Sequence, residues 1–222
     1  MYREFRNPEN GRNIRVYSGV KGLISHGDEL KSLLNTMNPE VILVTIAPSE
    51  VTGLKEFLRD PFEMNLSDYE IIYGIRLRKY GEVMTPPPIY IEVISYSEKS
   101  GSQVTGIDMD DETYNSAYTQ NIKSLDLLRD SLRKKRVLNT DYHDTNEYEF
   151  AEAWAEKQKS IRGRRKLEEI RIRYIAGKVR EFVSENYVEN HIIVCDHEFY
   201  RGIRDALASM GYVQEDHSDQ AT

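Results

Sequence analysis

The stretch IRVYSGVKGLISHGDELKSLLNTMNPEVILV, residues 14–44, reads as strand, helix, strand. Its first six residues are short, apolar and β-branched, and they end at Gly19, which is the signature of a strand running into a turn. Leu30, Leu33, Leu34 and Met37 then recur at helical spacing, with Ser25 or Asp28 as the cap. PEVILV closes the unit with a continuous apolar run, the pattern of a strand covered on both faces. Two strands joined by so short a helical crossover must be parallel. The expected class is therefore α/β, with a mainly parallel central sheet flanked by helices.

The rest of the chain extends this pattern. SEVTGLKEFLRD (49–60) predicts a helix capped at Ser49, and LSDYEIIYGIRLRKYG (66–81) a helix ending at Gly81. In PPPIYIEVISYSE (86–98) the β-branched content suits a strand while the prolines suit a helix start. QVTGIDMDDE (103–112) is a short strand followed by acids, and IKSLDLLRDSLRKK (122–135) an amphipathic helix. Phe150, Ala153, Trp154 and Ile161 form one helical stripe; Leu167, Ile170, Tyr174 and Phe182 form another, with a break near Gly163. HIIVCD (191–196) supplies the last strand and FYRGIRDALASMG (199–211) the last helix. The strands near 14–18, 41–46, 103–107 and 191–195 are expected to lie parallel in one sheet. A single domain over 1–222 follows, with a helical insertion or lobe at about 122–186 and a polar tail at 213–222.

Composition narrows the function. A net charge of −7 over 222 residues, 30% of them charged, argues against a general affinity for nucleic acid phosphates. No run approaches the roughly 18 apolar residues a membrane span needs, and the opening MYREFRNPENGRN lacks the apolar centre of a signal peptide. The expectation is a cytoplasmic protein with neither membrane nor nucleic acid as partner, and with homo-oligomerisation left open. The one cysteine, Cys195, excludes an internal disulfide and reads as a buried small residue.

Chemistry concentrates where strands end. IIVCDHEFYRGI (192–203) places Asp196, His197 and Glu198 at the mouth of a buried strand, and VTGIDMD (104–110) places Asp108 and Asp110 at the mouth of another. In an open α/β sheet that edge is where ligands bind. His197, Asp108 and Asp110 are candidate ligands of a divalent metal, with Glu82 as a further group and His26, before the first crossover helix, as another. The competing reading makes Asp110, Asp111 and Glu112 the charged start of a helix and His197 the cap of the next. His143, His191 and His217 carry weaker signals. In RGRRKLEEIRIRYIAGKVR (162–180) the arginines recur around a helix whose other face is apolar and read as a solvated face.

Five stretches together resemble the TraB/PrgY family, the pheromone-shutdown proteins related to the Tiki proteases and to a wider group of metal-dependent hydrolases. They are NIRVYSGVKG with NPEVILV, YGEVM at 80–84, VTGIDMD, RIRYIAGKV at 171–179, and IIVCDHEFYRGI. The similarity spans about residues 13–207. It implies a helix at 86–98, and it carries Glu82, Asp108, Asp110 and His197 onto positions of the family's motifs. It also implies that Arg171 or Arg173 pairs with the aspartates or holds an anionic substrate. The chain also departs from the pattern. Lys21 stands where the family has its first-loop histidine, Thr45 where a glutamate follows the second strand, and Ile170 where another glutamate is expected, with Glu169 one position away. A metal site built on those positions is incomplete. The resemblance implies a divergent member with a degenerate site for manganese, cobalt or zinc, acting as a binding or regulatory protein for a small-molecule or peptide ligand. The alternative it implies is a divalent-metal-dependent hydrolase of a small or peptidic substrate. His197 is expected to approach Asp108 or Asp110, and the Lys21 ammonium to pair with the same carboxylates.

Overall fold

A computed structural model describes residues 1–129 and 144–215. Six strands among them form one sheet: β1 (Tyr2–Arg6), β2 (Asn13–Gly19), β3 (Val41–Val44), β4 (Gln103–Gly106), β5 (His191–Asp196) and β6 (Val213–Gln214), in the order β4-β3-β5-β2-β1-β6. β2, β3, β4 and β5 run parallel, as their crossover helices require. β1 joins antiparallel to β2, and β6 antiparallel to β1. The polar tail expected from 213 therefore begins as an edge strand. Residues 130–143 and 216–222, which hold His143, His217 and much of the helix expected at 122–135, lie outside the described residues.

The helices form two layers and a cap. α1 (Ile24–Met37), α2 (Pro48–Arg59) and α4 (Pro88–Ser100) cover one face, where Leu30, Leu34, Val51, Val93 and Ile94 meet Ile42, Val44, Ile192 and Val194. α8 (Arg162–Glu185) and α9 (His197–Ser209) cover the other, where Ile175, Val179 and Ile203 meet Ile14, Val16, Leu43, Ile193 and Cys195. The long helix α8, within the helical insertion or lobe expected at about 122–186, supplies a layer over one face of the sheet. α3 (Asp68–Leu77) and α7 (Glu147–Gln158) pack over the carboxyl ends of the strands through Ile72, Leu77, Phe150 and Trp154, closing on Val20 and Leu23. α5 (Asp111–Asn121) packs against α8, and residues 124–129 are helical (α6).

Local chemistry explains most boundaries. Residues 88–100 are helical despite their β-branched content, because Pro88 at the first helical position has no N–H to lose and fixes φ for the helix. The helix crosses α1 so closely that a Cβ on Gly27 would lie 2.6 Å from the Cβ of Pro88. Two caps differ from expectation. α2 starts at Pro48, with the Glu50 carboxylate accepting the Ala47 N–H at 2.8 Å, and α1 starts at Ile24 without a side-chain cap. α3 ends at Leu77, ahead of Gly81.

β5 decides where the site lies. It is inserted between β2 and β3, and Ile192 to Cys195 are wholly buried. The chain leaves β2 and β3 toward α1 and α2 on one face, but leaves β5 toward α9 on the other. Diverging connections open a crevice at the carboxyl edge of the sheet, the switch point at which α/β folds bind ligands.

His191 opens β5 with no exposure. Its Nδ1–H donates to the Val188 carbonyl at 2.5 Å, and its ring lies between Phe182 and Tyr187. Burial pushes its pKa down to about 4. The unfolded chain, with histidine near 6.5, binds the proton more readily, so stability is full above about 6.5 and is lost as pH falls toward 4. Urea unfolding at pH 7 and pH 5 should show His191→Phe losing about 2 kcal/mol less than the parent on acidification. Equal losses would contradict this account.

Candidate functional site

Strand periodicity builds the site. Successive residues of β5 alternate between faces, so Ile193 and Cys195 point to α8 and α9 while Ile192, Val194 and Asp196 point to α1, α2 and α4. Asp196 is consequently 6% exposed at the end of a buried run. Its backbone N–H donates to Thr45 Oγ1 at 3.1 Å, and that hydroxyl is 3.1 Å from the Tyr90 hydroxyl of α4. Its Oδ1 has no hydrogen-bond partner among the described residues. Burial pushes the carboxyl up to about 7; Lys21, Arg171 and a Tyr90 hydrogen bond oppose the rise, and Glu198 adds to it.

Lys21, in the loop after β2, lies 3.9 Å from the Glu198 carboxylate. Burial alone would lower its ammonium, yet Glu198 and Asp196 hold it above its ordinary value. On the opposite wall Arg171 of α8 sends both Nε and Nη2 to Asp108 Oδ2, at 2.6 and 2.5 Å. Its guanidinium lies 4.7 Å above the Phe199 ring, and Glu168 is 3.9 Å away. The second Asp108 oxygen accepts the Met109 N–H at 2.8 Å. Around these groups lies a cleft of ≈ 230 Å³, walled by Tyr73, Tyr114, Trp154 and the Lys21, Arg171, Asp196 and Glu198 side chains.

The residues singled out in the sequence divide between this cleft and elsewhere. Arg171 pairs with Asp108 as expected, and Lys21 faces the same cleft, but its carboxylate neighbours are Glu198 and Asp196. His197 does not pair with either aspartate: its Nδ1 lies 2.8 Å from Ser18 Oγ, its Nε2 3.2 Å from Glu152, and its ring meets Tyr148 edge-on. His26 Nδ1 accepts the Val20 N–H, and its ring stacks on Tyr148 at 5.3 Å with Glu147 3.5 Å away. The two histidines thus converge on one tyrosine of α7, and His197 also borders the cleft. Burial lowers both imidazoles, against the raising effects of Glu147 on His26 and Glu152 on His197.

Asp110 caps α5, accepting the Thr113 N–H at 2.8 Å, which is the competing reading of that acid run. Glu82 is exposed, and its contribution is a backbone carbonyl that accepts the Ile24 N–H. Arg173 is exposed and donates to the Glu169 carbonyl of its own helix. Among the described residues no three histidine, cysteine, aspartate or glutamate side chains gather as a metal-binding group. The donor set His26, Asp108, Asp110 and His197 does not fit a metal: each has been given another partner. Sequence reasoning passed over Asp196 as a site residue, although its place two residues beyond Val194 marked it for the helix-covered face.

No protein-family model matches the chain, and no curated protein matches its sequence. Among the described residues no helix is long and apolar enough to cross a membrane.

The raised carboxyl of Asp196 has a measurable consequence. The folded chain keeps a proton that an unfolded aspartate near 3.8 has released, so stability falls as pH rises from about 4 to about 7. Asp196→Asn removes that ionisation. Relative to the parent, the variant should gain on the order of 2 kcal/mol between pH 5 and pH 8 in denaturant unfolding. A pH-independent difference would show that Asp196 stays ionised in the fold.

Proposed function

We propose that the chain is a divergent TraB-like domain that binds a small-molecule or peptidic ligand in the cleft at the carboxyl ends of β2, β5 and β4, in a binding or regulatory role. The observation that carries this reading is the Arg171–Asp108 contact, in which a guanidinium takes the carboxylate oxygen that a metal would need. Lys21 supports it from the other side, since its ammonium stands beside Glu198 and Asp196 at the position where the resembled family has a histidine. Arg171 is then a fixed cation and Lys21 a looser one, and a buried ion pair such as Arg171–Asp108 holds geometry better than it adds stability. The cleft sits at the switch point of the sheet, under the α3 and α7 cap, where a bound molecule would be removed from water.

A hydrolytic reading has one observation in its favour. The Asp196 carboxyl, pushed up to about 7, lies in the range of groups that transfer protons at neutral pH.

Calorimetric titration and thermal unfolding with manganese, cobalt and zinc distinguish the readings. The binding reading expects no stoichiometric site and a melting temperature unchanged within a degree. It also expects no peptide or ester hydrolysis above background in the presence of any of the three ions. One tightly bound ion per chain, lost in His197→Ala and accompanied by hydrolysis, would overturn it.

A further inference from the structure

The polar cleft has a second arm. A cavity of ≈ 310 Å³ runs from Lys21, Tyr73, Arg171 and Asp196, shared with the cleft, to the segment between α2 and α3. Its walls are apolar: Leu54, Phe57, Phe62, Met64, Met84 and Tyr90. Phe62 is 53% and Met64 41% exposed, and Leu66 and Met84 on the same arm are also exposed, so these apolar side chains form one uncovered patch. Phe57 meets Phe62 edge-on at 5.5 Å, so the wall is a packed surface. At about 30 Å³ for a water-sized group, the arm holds on the order of ten such groups.

Charge at the closed end selects the head of whatever fills the arm. Glu50, Glu70 and Asp196 line it against Lys21 and Arg171, and the Arg171 charge is already committed to Asp108. Glu50 accepts the Ala47 N–H and Glu70 the Ser67 N–H, each capping a helix. Asp196 differs: like Glu70 it lines both arms, but it is more than nine-tenths buried and its Oδ1 accepts nothing among the described residues. A buried acceptor without a donor costs about 1–3 kcal/mol, which a ligand N–H would relieve. An anionic head would leave Asp196 Oδ1 without a donor, and of the two cations Arg171 is already paired with Asp108 and Lys21 stands beside Glu198.

We propose that this arm binds an amphiphilic primary amine, with its apolar chain along Phe57, Phe62 and Met64 and its ammonium donating to Asp196 Oδ1. The proposal rests on the reading of the cleft as a binding site and names the class of its ligand. The ammonium replaces a missing donor, and the chain covers the exposed aromatic wall.

Octylamine, octanol and octanoate, below their aggregation limits, are the probes for isothermal titration calorimetry on the full chain. Octylamine should bind at least tenfold tighter than octanol, and octanoate weakest. Asp196→Asn should weaken octylamine at least tenfold while leaving octanol within twofold, and Phe62→Ser should weaken both alike. Octanoate binding tightest, octylamine bound equally by Asp196→Asn, or no binding by any of the three would overturn the proposal. The metal titration reads the broader reading separately: absent metal with failed amine binding removes the ligand class alone.

Discussion

One constraint organises the molecule: β5 is closed in by parallel strands on both edges and by helices on both faces, so its four central residues see no water. Each of those apolar side chains contributes roughly 1.5–3 kcal/mol by burial, enough to hold the strand in register against its neighbours. The next residue, Asp196, inherits that position. A carboxylate delivered there by strand geometry is buried whether or not its chemistry favours burial. Its neighbours Thr45, Tyr90 and Lys21 are arranged around that fact.

Electrostatics in the cleft is a matter of committed and uncommitted charge. Arg171 and Asp108 are within 2.6 Å and largely withdrawn from solvent, so removing either partner leaves the other as a buried charge. Lys21 and Glu198, at 3.9 Å and partly exposed, form a looser contact that a bound molecule can rearrange at small cost. The rigid pair fixes the wall; the loose pair leaves room for recognition.

The parallel core was legible because its signals are strong: long apolar runs such as VILV and HIIVCD separated by amphipathic helices admit few topologies. β1 was missed because YREFR is short and charged, which is how edge strands are written, and β6 because two residues carry no period. Of the site, the pairing of Arg171 or Arg173 with the aspartates was expected only through the family resemblance, and the structure pairs Arg171 with Asp108. His197 was misplaced for a geometric reason. Residues 196 and 197 leave the strand end on opposite faces: the aspartate turns toward Thr45 and Tyr90, while the imidazole, which also borders the cleft, is held by Ser18 and Tyr148. Nor does a linear pattern reveal that His26 and His197 share one tyrosine, because that contact depends on how α7 settles over the sheet.

The insertion of β5 between β2 and β3 also bears on how the chain reaches its fold. Val16 pairs with Ile193, and Val41 with His191, so the central ladder joins segments from nearly opposite ends of the sequence. Until residue 190 has been made, β2 and β3 have no common neighbour, and two unpaired strand edges face each other across a gap. Non-local closure of that kind is slow because loop entropy is lost before the contacts repay it. The nascent chain therefore carries its most apolar edges exposed through most of its synthesis, and a holding chaperone would find its target in β2 and β3.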